Sequence, residues 1–353
     1  MRNDTRGFQT DAIHAGEAEH ASSTPVSLGA TSDAVYYRTG NPTLAAFEAK
    51  AAALDNGTHG VSAACGMAAV SQTLLTLLSA GSRLVCHHTV YHWSRELLHR
   101  ELPRFGVEVV PVDMRESAEL AAALETPVDV VYFEPLANPT LDIVDAPAVI
   151  AAAHGAGAKA VVDATWLTPY LFRPLEHGAD AVIHSATKFL CGHGDALAGV
   201  VVTRDAELAD ELVRVRNSFG GILGPMNAYL LMRGMKTLPI RMRQHCANAQ
   251  AIAEYLERHP KVTQVWYPGL AGTRGHDIAR SQWSGFGGML GFALESRAAR
   301  DAFLDRVELC KPWVSLGDAA SLVHDARSEN RIRMSVGLED CADIERDLEQ
   351  AIG

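Results

Sequence analysis

Ala181-Val182-Ile183-His184-Ser185-Ala186-Thr187-Lys188 is an apolar run that ends in a small hydroxylated turn and then in a lysine. A lysine held at the end of a buried strand gives up its proton readily, because desolvation disfavours the ammonium form. The neutral amine can form a Schiff base with a carbonyl compound. Ser185 and Thr187 flank it with two hydroxyls, suited to a phosphate oxygen. Upstream, Val161-Val162-Asp163-Ala164-Thr165 ends another apolar strand in a carboxylate. A Schiff-base lysine paired with a carboxylate that keeps a ring nitrogen protonated makes an electron sink. Taken alone, Ser-Ala-Thr-Lys also fits a lysine reaching from a strand end to the surface, the commoner fate of that residue.

The surrounding pattern must position both groups. Pro42 opens a helical stretch with Leu44, Phe47 and Leu54, and proline suits a first helical turn. Apolar strand-like runs at 60–64, 83–86, 107–112, 128–133 and 158–163 alternate with helical stretches at 66–78, 93–104 and 146–154. Such alternation predicts right-handed βαβ units and a largely parallel sheet covered on both faces. Active groups then gather at the carboxyl ends of the strands, where Asp163 and Lys188 both fall. Near Leu238 the character changes. A long helical stretch covers 241–258, with Ala249, Ile252, Ala253 and Leu256 on one face. Strands at 262–267 and 289–294 and helices at 298–307 and 340–352 follow. Residues 290–294 and 332–336 are expected to share a smaller sheet. The expected organisation is an N-terminal arm, 1–42, a larger domain, 43–238, and a smaller α+β domain, 239–353.

Composition narrows the function. The 353 residues are enough for two domains, and 48% hydrophobic with 21% charged residues is an ordinary soluble balance. A formal charge of -11 argues against nucleic acid or an anionic membrane as partner. No apolar stretch approaches the length of a membrane span, and Met1–Arg6 lacks an apolar signal core. Cysteines 65, 86, 191, 246, 310 and 341 are scattered, which predicts reduced thiols and a cytoplasmic setting. His87, His88 and His92 cluster, but no carboxylate lies at a suitable sequence spacing, so no metal site is expected.

Seven blocks occur in one order: Tyr36–Thr43, Cys65–Ala69, Val162–Thr165, His184–Lys188, Met232–Leu238, Tyr267–Leu270 and Ser335–Asp340. Together they resemble the Cys/Met-metabolism family of pyridoxal-phosphate enzymes, from about Gly7 to the C-terminus. The resemblance implies fold type I, with a large mainly parallel sheet domain and a smaller C-terminal domain. It implies pyridoxal 5'-phosphate on Lys188, with Asp163 at the pyridine nitrogen. Gly66, Met67, Ser185 and Thr187 hold the phosphate, with Cys65 where the family has serine. Tyr91 stacks on the ring and assists proton transfer, and Asn138 lies by the 3-hydroxyl. Arg333 and Ser315 take the substrate carboxylate. Tyr36 and Arg38 reach a neighbouring subunit's phosphate, so the resemblance implies shared sites in a homodimer and a homotetramer above it.

The activity it implies is γ-elimination from a Cγ-substituted L-amino acid, as in methionine γ-lyase. The alternative is γ-replacement on an activated homoserine, and a regulator without turnover is disfavoured by intact Lys188, Asp163, Tyr91 and Arg333. Val314 stands where cystathionine-handling members tend to carry Glu. His92 and Trp93 add bulk after Tyr91. A longer family segment is reduced here to His324–Asn330. These departures point to a compact leaving group.

Overall fold

The computed structural model describes residues 6–17, 23–32, 35–326 and 330–353. Residues 1–5, 18–22 and 33–34 of the N-terminal stretch lie outside the described residues. So do Arg327, Ser328 and Glu329 of the short segment before Arg331.

The large sheet has seven strands, in the spatial order His59–Ala63, Gly199–Thr203, Ala181–His184, Lys159–Asp163, Val130–Phe133, Arg83–His87 and Glu108–Val112. Four neighbouring pairs are parallel. Gly199–Thr203 runs antiparallel to both of its neighbours, so the sheet is mixed. That strand is as apolar as the parallel strands of the sheet, and a strand buried on both faces shows no directional signal in its sequence. Val130 and Tyr132 face one apolar layer, and Val131 and Phe133 the other. Asp163 pairs in register with Ile183, so the turn carrying Lys188 leaves the sheet beside the carboxylate.

The smaller sheet is antiparallel throughout, in the order Val262–Trp266, Met289–Leu294, Arg331–Ser335 and Leu322–Asp325. The helix Leu238–Arg258 joins the two layers: Leu238 and Met242 pack in the large-sheet core, and Ala249, Ile252 and Leu256 in the third core.

Two local expectations change. The stretch at 93–104 is an α-helix at His92–Glu96, a π turn at Leu97–Glu101 and a 3-10 turn at Leu102–Phe105. Pro103 lacks the N–H that would continue an α-helix. The N-terminal stretch, for which the sequence suggests no regular element, contains a helix at Phe8–His14. Its last carbonyls, of Ala12 and Ile13, accept from the buried Lys50 Nζ at 2.8 and 3.1 Å, and Phe8 packs edge-on against Tyr170.

The turn after Lys188 is fixed by one buried guanidinium. Arg241 donates to the carbonyls of Phe189 (2.7 Å), Leu190 (3.2 Å) and Gly234 (2.8 Å). Replacing it leaves buried acceptors unsatisfied, which costs about 1–3 kcal/mol for each group that water cannot reach. Arg241→Leu should therefore lower the unfolding free energy by about 2–4 kcal/mol, read as a reduced urea midpoint. An unchanged midpoint would show that the turn holds itself.

Candidate active site

Lys188 lines a cavity of about 840 Å³ at the carboxyl ends of the parallel strands. The turn before it is closed by its own amide, which donates to the Ser185 carbonyl at 3.1 Å. Its Nζ donates to Ser315 Oγ at 2.7 Å. Burial, and next the nearby Arg333 guanidinium, bring the amine down to about 8, against a smaller upward pull from Asp318.

Asp163 lies across the same cavity. Its Oδ1 accepts from the Thr165 amide (3.0 Å) and hydroxyl (2.5 Å). The Thr165 hydroxyl accepts in turn from the Ser185 amide at 2.8 Å, tying the carboxylate strand to the lysine turn. Burial raises the Asp163 carboxyl above its usual range, while Thr165 and His184 pull it partly back. Behind it, His184 Nε2 meets Asp55 Oδ2 at 2.8 Å, both side chains fully enclosed. Burial opposes charge on His184, but Asp55, and then Asp163, hold its imidazole above the ordinary value.

The third group comes from the smaller sheet. Arg333 Nη1 donates to Asn138 Oδ1 and its Nη2 to the Ser315 carbonyl, both at 3.1 Å. Ser315 has φ +98°, an uncommon conformation for a residue with a Cβ. Gly317 allows it: a Cβ there would lie 2.5 Å from the Phe189 amide nitrogen. Tyr91 opens the helix His92–Glu96, and its amide donates to Glu134 Oε1 at 2.6 Å.

Of the residues expected from sequence, Lys188, Asp163, Gly66, Met67, Tyr91, Asn138, Ser185, Thr187, Ser315 and Arg333 all line this one cavity. Gly66 is required there, because a Cβ would sit 2.6 Å from Ser185 Cβ. The Thr187 hydroxyl is engaged with the Ala198 carbonyl and amide, at 3.2 and 3.0 Å. Cys65 Sγ caps the helix Gly66–Leu77, accepting from the Ala68 amide at 3.4 Å. All six cysteines are free. Tyr36 and Arg38 are not among the cavity residues. Arg38 lies over the exposed Tyr36 ring and donates to the Asn217 carbonyl at 2.7 Å.

The histidine cluster does gain a carboxylate: Asp113, from the end of the next strand, joins His87 and His88, while His92 stays apart. The parallel pairing of His87 with Val112 brings it there, which sequence spacing could not show. The Asp113 carboxylate is gripped by Arg115 Nε and Nη2, and His87 Nδ1 accepts from the Met114 amide, so these groups are already engaged.

Sequence reasoning gave no role to Glu134, Thr165, His184 or Asp55. Glu134 ends the strand Val130–Phe133 as Asp163 ends its own, so a strand-end carboxylate was the available signal. His184 and Asp55 are brought together only by the fold.

The set fits pyridoxal phosphate. A lowered amine faces the cavity, and the space beside Ser185 admits no side chain at Gly66. Asp163 is a half-buried carboxylate that makes no ion pair among the described residues, and it suits a protonated ring nitrogen.

The amine shift has a direct consequence in the cofactor-free protein. Below pH 8 Lys188 is protonated and unreactive, and above it the neutral amine predominates. Competitive acetylation across pH, followed by peptide mapping, should give Lys188 a midpoint near 8. Lys159, raised by its bond to Asp180, should titrate above the ordinary lysine value. Matching midpoints for the two would remove the argument that burial activates Lys188.

The chain matches the model of the Cys/Met metabolism PLP-dependent enzymes over residues 8–353. It is 42% identical over 339 residues to an L-methionine gamma-lyase of Fusobacterium nucleatum subsp. nucleatum, covering 90% of this chain and 86% of that protein. It is 40% identical to a cystathionine gamma-lyase of Bacillus subtilis, covering 90% and 88%. A crystal structure of a cystathionine gamma synthase from Xanthomonas oryzae pv. oryzae, in complex with aminoacrylate and cysteine, superposes with a TM-score of 0.95. It is 36% identical and covers 98% of each chain. With the buried lysine, the strand-end aspartate and the arginine clamp in one cavity, the chain belongs to the Cys/Met metabolism family of pyridoxal-phosphate-dependent enzymes.

Proposed function

We propose that the protein eliminates a compact group from Cγ of an L-amino acid, in the manner of a methionine γ-lyase. The observation that carries this reading is Ser315. Its hydroxyl takes the Lys188 amine and its carbonyl takes the Arg333 guanidinium, so the proton carrier and the carboxylate-binding cation are held by one residue. Bound on Lys188, pyridoxal phosphate supplies the electron sink for charge developing at the substrate's Cα and Cβ. Lys188, displaced by the substrate amine, takes the proton from Cα, with Ser315 Oγ within reach to orient it. Arg333 binds the substrate carboxylate, a natural guanidinium target, with Asn138 holding its other edge. Asp163 maintains a negative charge at the ring-nitrogen position, and Tyr91 covers the ring. Loss of a Cβ proton then lets the Cγ substituent leave with its bonding pair, and once protons return to the carbon chain, hydrolysis by water gives 2-oxo acid and ammonia.

Compactness rests on the mouth. Trp93 and Val314 line the cavity yet are 56% and 68% exposed, so they stand at its rim. Neither offers a charge to a distal amino-acid group. An alignment with an L-methionine gamma-lyase of Pseudomonas deceptionensis runs over 388 positions, more than the 353 residues here, so that relative carries segments this chain lacks. Similarity to a cystathionine gamma synthase keeps γ-replacement as the second reading. We read residues 43–238 as the cofactor-holding domain, 239–353 as the substrate-carboxylate domain and 1–42 as an arm. The arm's Tyr36 and Arg38 serve a neighbouring subunit in a homo-oligomer, a dimer with shared sites or a tetramer built from two such dimers, working in the cytoplasm.

The test is a panel of Cγ-substituted amino acids, with 2-oxo acid, ammonia and released group all quantified. L-Methionine or O-acetylhomoserine should exceed L-cystathionine in kcat/KM by about tenfold or more, the order of discrimination a shaped pocket gives. Cystathionine as the best substrate would overturn the compact-group reading. Product without ammonia, when a thiol is supplied, would favour replacement.

Shared sites predict complementation. Lys188→Ala and Arg38→Ala proteins should each be nearly inactive, and a mixture allowed to exchange subunits should regain activity from one intact site per mixed dimer. Proven exchange without recovery would place Arg38 outside the site.

A further inference from the structure

Glu134 is a carboxylate at the cavity wall, only 5% exposed. Its two oxygens are divided between two loops. Oε1 accepts from the Tyr91 amide at 2.6 Å, and Oε2 accepts from the Asn138 amide at 2.8 Å. Asn138 in turn presents its side-chain oxygen to Arg333. Burial and the neighbouring Asp163 both raise the Glu134 carboxyl, and among the described residues only those two amides are seen to oppose them, with no cation beside it. A buried carboxylate without a cation is costly to keep. A neutral glutamine of the same shape offers a single acceptor oxygen and would turn an N–H₂ toward one of the amides. Only a carboxylate accepts from both.

We propose that Glu134 is a positioning residue that sets the ring-covering Tyr91 and the carboxylate-binding Asn138–Arg333 pair in one fixed relation. This rests on the roles given above to Tyr91, Asn138 and Arg333. Each Glu134 oxygen is held by a backbone amide, so the carboxylate is tied to the two loops. Its effect is exerted on where the tyrosine ring and the arginine clamp stand relative to each other. A shift of either loop misplaces the substrate carboxylate against the ring and weakens binding before it slows any proton transfer.

The experiment compares wild type with Glu134→Gln, Arg333→Lys and the double variant, all as holoenzymes. Hydrogen exchange read by mass spectrometry should rise in the peptides containing Tyr91 and Asn138 and stay unchanged in the smaller domain's helices. The visible circular dichroism of the bound cofactor should fall in Glu134→Gln as the covering ring loses its fixed place. KM should rise by about 10–100-fold, the range expected for losing a hydrogen bond to a charged acceptor, with kcat changed less. Because Glu134 acts through Asn138 and Arg333, the double variant's KM should be far below the product of the two single effects. Glu134→Asp, which keeps the charge but shortens the reach, serves if the glutamine variant does not fold, and it should shift the same readouts less. An unchanged KM and dichroism in a folded variant overturns the proposal, as does a KM effect that multiplies fully with Arg333→Lys. If Arg333→Lys alone leaves KM untouched, the clamp assigned above is wrong. The dichroism and exchange at Tyr91 then still decide whether Glu134 positions the ring.

Discussion

The desolvation of one amine organises this molecule. Lys188 stands at the end of a fully buried strand and loses enough hydration to fall to about 8, within reach of the neutral form that does carbonyl chemistry. A lysine left in water would stay protonated near its ordinary value and would be inert. The sheet keeps the amine dry on one side, the Ser315 loop meets it on the other, and Arg241 ties down the carbonyls that follow it. The large apolar core is thus part of the chemistry as well as of the stability.

Around that amine the charges come from separate places. Two carboxyl groups, the half-buried Asp163 and the buried Glu134, line the cavity, both raised by burial. The Arg333 guanidinium is delivered by the smaller sheet and joined to the loop after the strand Val130–Phe133 through Asn138. The His184–Asp55 pair sits behind Asp163 and favours its ionised form. A strand-end carboxyl group and a guanidinium lining one cavity suit a ligand with a cationic ring nitrogen at one end and a carboxylate at the other. The strained φ at Ser315 is the local cost of holding the lysine and the arginine on one loop residue.

Much of this was legible in the sequence, for physical reasons. Strands buried on both faces are continuous apolar runs, and the carboxylate and lysine that end them are local features, so Asp163 and Lys188 could be read directly. Direction along the sheet could not: Gly199–Thr203 is antiparallel to both neighbours, yet it is as apolar as the sheet's parallel strands. Glu134 stayed hidden because its partners are backbone amides, which every residue has and no sequence marks. The helix Phe8–His14 is seven residues long and depends on Lys50, far along the chain, to donate to the carbonyls at its end. Asp113 approaches His87 only through strand pairing. What remained unread was set by tertiary proximity, whereas the motifs that carry the chemistry are contiguous.

The central claim is that Lys188 and its surroundings labilise hydrogens at both Cα and Cβ, which separates chemistry at Cγ from chemistry that ends at Cα or Cβ. Proton NMR of L-2-aminobutyrate incubated with the holoenzyme in deuterium oxide measures this directly, because that compound carries no group to expel. Progressive loss of both the Cα and the Cβ proton signals, absent in Lys188→Ala, is the result expected. Exchange confined to Cα, with the Cβ signals intact, would contradict the account.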